Sequence, residues 1–227
     1  MELKEIKSKS FKGMVFLVAV MGLGIFLPAW SIDFTEGWVF MIVFFSCVLF
    51  TTIYFIKKDP KLLENRLYAG PIAERGITQK IIQSINATLF ISMLVIPGFD
   101  HRYHWSSLPF YVVIISNVLI ITGFWIVFLV LRDNSYASNI IKVDEGQKVI
   151  STGTYSVVRH PMYSGGLLVW LFFPLALGSY WAFAIGLFAF VMIIVRLIDE
   201  EKYLKKNLQG YNEYCEKTRF RLIPGIW

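Results

Sequence analysis

Charge is scarce in this chain of 227 residues. Only 17% of the residues are Asp, Glu, Lys or Arg, while 56% are hydrophobic; soluble globular proteins carry roughly 25% charged residues. That balance excludes an ordinary water-soluble domain. Cysteine is almost missing too, and Cys47 and Cys215 offer neither a disulfide framework nor a metal cluster. No Gly-rich phosphate-cradling fingerprint precedes a helix. No internal repeat and no low-complexity linker divides the chain.

What the chain has instead is long apolar blocks, at 13–30, 38–56, 81–99 and 108–131. Each is near the ~20 residues a helix needs to cross the ~30 Å hydrocarbon core. The third carries Gln83, Ser84 and Asn86 in its first turns, and the fourth has no charge. Two shorter blocks, 165–177 and 181–195, are separated by Gly178-Ser179-Tyr180. They predict a tight helical hairpin whose first arm spans fully only if Met162 to Ser164 extend it.

The positions of the charges test this reading independently. Of the 22 Lys and Arg residues, all but Arg102 fall in segments 1–12, 57–80, 132–164 and 196–227. These are alternate segments, hence one side of a membrane. The positive-inside rule makes that side cytoplasmic, with both termini on it, and Trp30, Trp38, Trp105 and Trp181 suit interfacial anchors. The net charge of +6 then reads as topogenic charge and attraction to anionic headgroups rather than nucleic-acid binding. The first block ends Leu27-Pro28-Ala29-Trp30-Ser31 without a small-x-small cleavage site, so an uncleaved first helix is expected. His101 and His104 fall on the side opposite His160. One cytoplasmic histidine cannot assemble a metal site, and a metal enzyme is excluded.

Chemistry is therefore sought on the basic face. Segment 57–66 alternates charge with Leu and predicts a short amphipathic surface helix, capped by Asp59 with Pro60 in its first turn. It either lies solvated at the headgroups or helps admit substrate. Asp144-Glu145-Gly146-Gln147 has turn chemistry. Beyond it, Gly153-Thr154-Tyr155-Ser156-Val157-Val158-Arg159-His160-Pro161-Met162-Tyr163-Ser164-Gly165 crowds polar and aromatic groups at the mouth of the hairpin. Pro161 disfavours helix at His160 and can itself begin one, placing His160 at a helix start that suits an anionic ligand group. Arg196, Asp199, Glu200 and Glu201 stand where the last block meets the cytoplasm. Arg196 and Glu200 share a helical face. These charges mark either a site or a snorkelling arginine beside a solvated acidic run.

Gly153-x-Tyr155-x3-Arg159-His160-Pro161-x-Tyr163-x-Gly165, followed by Arg196-x3-Glu200-Glu201-x2-Leu204, resembles the isoprenylcysteine carboxyl methyltransferase family, which is related to the membrane phospholipid methyltransferases. Tyr211-x2-Tyr214 and Arg221-Leu222-Ile223-Pro224-Gly225 also look like the family's C-terminal pattern. The resemblance covers about the last 95 residues of the chain; the first four helices match only in hydropathy.

The resemblance implies an all-α polytopic membrane helix bundle. It would have about six membrane helices, a C-terminal helical hairpin and a cytoplasmic cofactor pocket roofed by segment 139–163 and the C-terminal tail. Residues 1–131 would form a four-helix membrane region, and 132–227 the cofactor-binding and catalytic region. S-adenosylmethionine would bind Tyr155, Arg159, His160, Pro161, Met162, Tyr163 and Glu200, with Gln147, Lys148, Val149 and Ile150 lying against it. Arg196 would hold the substrate's carboxylate. Glu200 and Glu201 complete the catalytic set, with Glu201 or Asp199 as base for an amine acceptor.

The implied activity is methyl transfer to a lipophilic acceptor delivered from the lipid bilayer, with no metal and no nucleic acid. The resemblance implies isoprenylcysteine carboxyl O-methyltransferase-like chemistry, with phosphatidylethanolamine-type N-methylation as the alternative. In a bacterial source a small isoprenoid or lipid carboxylate, or a phosphatidylethanolamine-like amine, would replace prenylated proteins as acceptor. Alternatives are an NADPH-dependent membrane sterol-type reductase and a non-catalytic scaffold or transporter. The location is a multi-pass protein of the bacterial inner membrane or the endoplasmic reticulum, according to source.

Overall fold

The structure, a computed structural model, describes residues 1–67, 69–74, 76–143 and 146–227. Among these the chain forms eight α-helices and no strand. They are α1 (Leu3–Ala29), α2 (Thr35–Lys58), α3 (Pro60–Arg66), α4 (Ile77–Tyr103), α5 (Phe110–Asp133), α6 (Pro161–Ala176), α7 (Tyr180–Asn207) and α8 (Tyr211–Lys217). Five of them, α1, α2, α4, α5 and α7, are long and apolar enough to cross a membrane. The polytopic helical bundle expected from the apolar blocks is thus present.

The helices outrun those blocks. Helix α7 runs to Asn207 rather than ending near 195, and α1 begins at Leu3 rather than 13. Apolarity marks only the part of a helix that lies in hydrocarbon. The Lys, Glu and Leu residues beyond it are strong helix formers in their own right. Arg196, Glu200 and Glu201 consequently ride on one rigid helix.

The short elements follow their local signals. Asp59 caps α3 by accepting from the Leu62 amide at 3.1 Å, with Pro60 opening the helix. Helix α3 is not simply a solvated surface element, because its Leu62 is fully buried. Pro161 opens α6, and the Ser179 hydroxyl caps α7 by accepting from the Ala182 amide at 3.1 Å. In the turn expected over Asp144-Glu145-Gly146-Gln147, Asp144 and Glu145 lie outside the described residues; Gly146 has a φ of +71°.

The core is built from Met21, Ile25, Phe40, Met93, Ile120 and Phe173 among others. Phe40 of α2 stacks on Phe173 of α6 at 4.7 Å between ring centroids. The backbones of α5 and α6 meet at a pair of glycines. A Cβ on Gly123 would stand 2.6 Å from the Gly165 carbonyl oxygen, and one on Gly165 would stand 2.7 Å from that of Gly123. Small residues permit this approach where helices cannot rely on the hydrophobic effect to associate. The outer surface is apolar, with Phe16, Ile42, Ile115 and Phe188 all more than half exposed. Such a belt suits hydrocarbon and would aggregate in water.

The two ends of the bundle differ. At one end the Met1 amino group lies 3.0 Å from Glu64 of α3, and the described residues of 59–74, 134–143 and 146–160 gather there with α8 and the C-terminal residues. At the other, Phe34 stacks on His101 at 4.2 Å, and the Ser179 hydroxyl donates to Asp100. Because α6 starts at the first end and its turn packs at the second, its 16 residues traverse the bundle. At ~1.5 Å per residue they give a rise of roughly 24 Å. The basic segments lie at the first end.

Candidate active site

The Arg159-His160-Pro161 corner is fixed from three directions. Pro161 starts α6, with His160 as the capping residue. The C-terminal residues run alongside: the Arg159 amide donates to the Phe220 carbonyl and the His160 amide to that of Arg221, both at 2.9 Å. The Ser164 hydroxyl donates to the Leu222 carbonyl at 2.7 Å. Finally, α7 presents Glu201, whose carboxylate lies 3.0 Å from Arg159 Nη1 and accepts from Arg221 Nε at 2.9 Å. His160 Nε2 lies 3.8 Å from the same carboxylate and 3.4 Å from the Tyr211 hydroxyl.

Tyr155 is placed by the end of α5. Gly153 has a φ of +59°, and a Cβ there would collide with the Asp133 carboxylate, so glycine suits the position twice over. That carboxylate accepts from the Thr154 amide at 2.8 Å. The Tyr155 hydroxyl accepts from Asn134 Nδ2 at 2.9 Å, and the Tyr214 hydroxyl donates to the Tyr155 carbonyl at 2.8 Å. Burial, partly opposed by the Asn134 hydrogen bond, pushes the Tyr155 phenol up to about 12. Burial also raises Tyr211 and Tyr214. All three rings are uncharged at neutral pH.

These groups enclose a cavity of about 510 Å³, within the range of small-molecule sites. Its wall contains Gln147, Lys148, Val149, Ile150, Tyr155, Arg159, His160, Pro161, Met162, Tyr163, Arg196 and Glu200. One wall thus brings together the two clusters read from the sequence. The Tyr163 hydroxyl, on the first turn of α6, donates to Glu200 of α7. Glu201 and Asp199 do not line the cavity: Glu201 faces Arg159 and Arg221, and Asp199 accepts from Gln79.

Several wall residues went unassigned at the level of sequence. Asn134 and residues 136–142 line one side, Leu204, Leu208, Tyr211 and Tyr214 another, and Gln83 and Trp170 reach it from α4 and α6. Tyr211 and Tyr214 were visible as a pattern, and Gln83 as a polar residue in an apolar block. Residues 139–142 belong to the segment expected to roof the pocket, whereas 136–138 carry no such signal. Among the described residues no group of three or more His, Cys, Asp or Glu side chains could hold a metal.

Arg196 is buried and held on several sides. Its Nη1 donates to Gln79 Oε1 at 2.8 Å, and its Nη2 donates to Glu74 Oε1 at 2.7 Å and to the Asn139 carbonyl at 3.0 Å. Neither Glu74 nor Gln79 stands out in the sequence.

Residues 111–210, just under half of the chain, match the family model of phospholipid methyltransferases. A stretch of 85 residues is 28% identical to the Delta(14)-sterol reductase TM7SF2 of Mus musculus, covering 36% of this chain and only 20% of that protein. The matched family segment runs from α5 through α6 and α7, the helices that carry most of the cavity wall. The match is to the phospholipid methyltransferase model and does not single out the isoprenylcysteine carboxyl methyltransferases.

Proposed function

We propose that this protein is an S-adenosylmethionine-dependent methyltransferase that modifies a lipophilic acceptor reaching the cavity from the bilayer, with both termini in the cytoplasm. The observation that carries this reading is the shared cavity joining the Arg159-His160-Pro161 corner of α6 to Glu200 of α7, inside the segment that matches a methyltransferase family. The wall has the donor set such a cofactor requires. Glu200 offers a carboxylate to its ammonium group, and Lys148 and His160 offer donors to its carboxylate. The uncharged rings of Tyr155, Tyr211 and Tyr214 offer faces to a sulfonium and to adenine.

When bound, S-adenosylmethionine would supply a methyl group already activated on sulfur. The chain's own task is then to hold two reactants in line and exclude water, and positioning of this kind contributes about 7–11 kcal/mol in favourable cases. A corner fixed by main-chain hydrogen bonds and the Glu201 clamp suits that task. The reductase alternative is supported only by the short match to the sterol reductase, which spans a fifth of that protein.

The deciding experiment is thermal stability of the purified protein with S-adenosylmethionine, S-adenosylhomocysteine and NADPH in parallel. A ligand that binds only the folded state adds about 2.7 kcal/mol at a hundred times its dissociation constant. The expected result is stabilisation by the two adenosyl compounds and none by NADPH. The reverse pattern would transfer the reading to a reductase.

A further inference from the structure

On the resemblance alone Arg196 is the seat for a carboxylate of the acceptor, but the structure already gives that guanidinium a counter-ion from within the chain. Glu74 lies in the connection between α3 and α4, is 3% exposed, and sits 2.7 Å from Arg196 Nη2. Its carboxylate has two further donors, the Ile141 amide at 3.3 Å and Gln83 Nε2 at 3.5 Å. Arg196 lines the cavity and Glu74 does not, so Glu74 backs the arginine from behind the wall. Both Nη2 hydrogens are used, on Glu74 and on the Asn139 carbonyl. A carboxylate buried this deeply cannot leave its partner for water without moving the segments around it, because an uncompensated buried charge is strongly disfavoured.

We propose that Glu74 is a specificity-determining residue: by neutralising Arg196 behind the cavity wall, it excludes acceptors whose end beside Arg196 is anionic and admits those whose end is neutral or cationic, as in an amine. This rests on the reading of the cavity as the site of methyl transfer. The same two atoms set the alternative, in which Glu74 merely orients Arg196 for an anionic acceptor. The two differ in sign. Removing a neutralising charge strengthens anion binding, whereas removing an orienting one weakens it.

The experiment uses the full-length protein in nanodiscs and two probes of equal chain length, myristate and tetradecylamine, with binding read by thermal shift against concentration. S-adenosylhomocysteine is titrated separately into every variant, so that failure of the methyltransferase reading shows as its failure to bind wild type, whatever the amphiphiles do. In Glu74→Gln the expected result is a gain of about tenfold or more in myristate affinity, a fall for tetradecylamine, and unchanged S-adenosylhomocysteine binding. That size corresponds to about 1.4 kcal/mol of altered charge interaction. The double variant Glu74→Gln/Arg196→Gln keeps the wall neutral and should return myristate binding to the wild-type level, which also covers the case in which the single variant fails to fold. Myristate binding that is tight in wild type and weaker in Glu74→Gln overturns the proposal. So does a myristate-to-amine ratio that none of the variants changes.

Discussion

Glu200 and Glu201 are neighbours in the chain and have separate partners: Glu200 accepts from the Tyr163 hydroxyl and lines the cavity, whereas Glu201 is clamped by Arg159 and Arg221. A helix turns about 100° per residue, so one step along α7 separates a cavity-facing carboxylate from one that holds the fold of the corner. Substituting each should therefore have a different signature. Glu200→Gln is expected to weaken S-adenosylhomocysteine binding by roughly ten- to a hundredfold, the worth of a charge-assisted hydrogen bond, with little change in the ligand-free melting midpoint. Glu201→Gln strands a buried arginine and is expected to cost about 3 kcal/mol of stability, seen as a lower midpoint without ligand. Melting curves of both variants with and without S-adenosylhomocysteine check this. Equal stability losses would show that the two carboxylates do not divide the work.

The contact between Gly123 and Gly165 makes a second prediction, about assembly rather than chemistry. Each backbone leaves no room for a side chain on the other, so Gly165→Val should force α5 and α6 apart. Overpacking of this kind costs typically about 1–3 kcal/mol. Because α6 begins at the cavity corner, cofactor binding should fall together with the midpoint. Gly166 neighbours Gly165, but a Cβ added to it would meet nothing within 4 Å. Gly166→Ala is therefore the control, expected to leave ligand binding unchanged and to hold or slightly raise the midpoint, since alanine favours the helix interior.

Much of this architecture was legible in the sequence because a bilayer leaves few options. Apolar runs must span it, lysines and arginines collect on one face, and Asp59-Pro60 and His160-Pro161 punctuate helices through constraints internal to the peptide. The Arg-His-Pro corner and Glu200 were legible for a similar reason, as short local patterns. Glu74 was not. It is the one acidic residue in the sequence between α3 and α4, no motif surrounds it, and only the convergence of α4, α7 and residues 139–141 marks it out. The extension of α7 to Asn207 is invisible to hydropathy, which records where the membrane ends and not where the helix does. Residues 136–138 likewise reach the cavity without a periodic pattern that would announce it.

Alkaline pH should weaken the fold through the aromatic end of the cavity. Burial holds the folded-state pKa of Tyr155 at about 12 and raises those of Tyr211 and Tyr214, against about 10 for an unfolded tyrosine. The folded chain therefore keeps protons that the unfolded chain releases. The stability this contributes is complete below about pH 10 and is lost as pH rises toward 12. Arg66 works the other way, since burial lowers its pKa to about 10 and its cost to the fold disappears as it deprotonates. Three phenols oppose one guanidinium, so the midpoint should fall between pH 10 and 12. The double variant Tyr155→Phe/Tyr214→Phe should flatten that decline. A midpoint that rises across the interval would contradict the assignment.

His160 and Tyr211 provide the last test, because their separation of 3.4 Å is long for a strong hydrogen bond. If His160 is the group that meets the cofactor, Tyr211 contributes chiefly by walling the cavity and orienting the ring. His160→Ala should then weaken S-adenosylhomocysteine binding by about a hundredfold, the upper range for a hydrogen bond to a charged group, leaving a residual affinity that can still be titrated. The ligand-free midpoint should change much less, because the amide that bonds to Arg221 belongs to the backbone and survives the substitution. Tyr211→Phe keeps the ring and removes only the hydroxyl, and is expected to cost about tenfold or less in affinity, in line with one neutral hydrogen bond. Residues that act as a unit are not additive, so the double variant should be no worse than His160→Ala alone. Losses that simply add would mean that each side chain meets the ligand independently, and the hydroxyl of Tyr211 would then count among the binding groups rather than their supports.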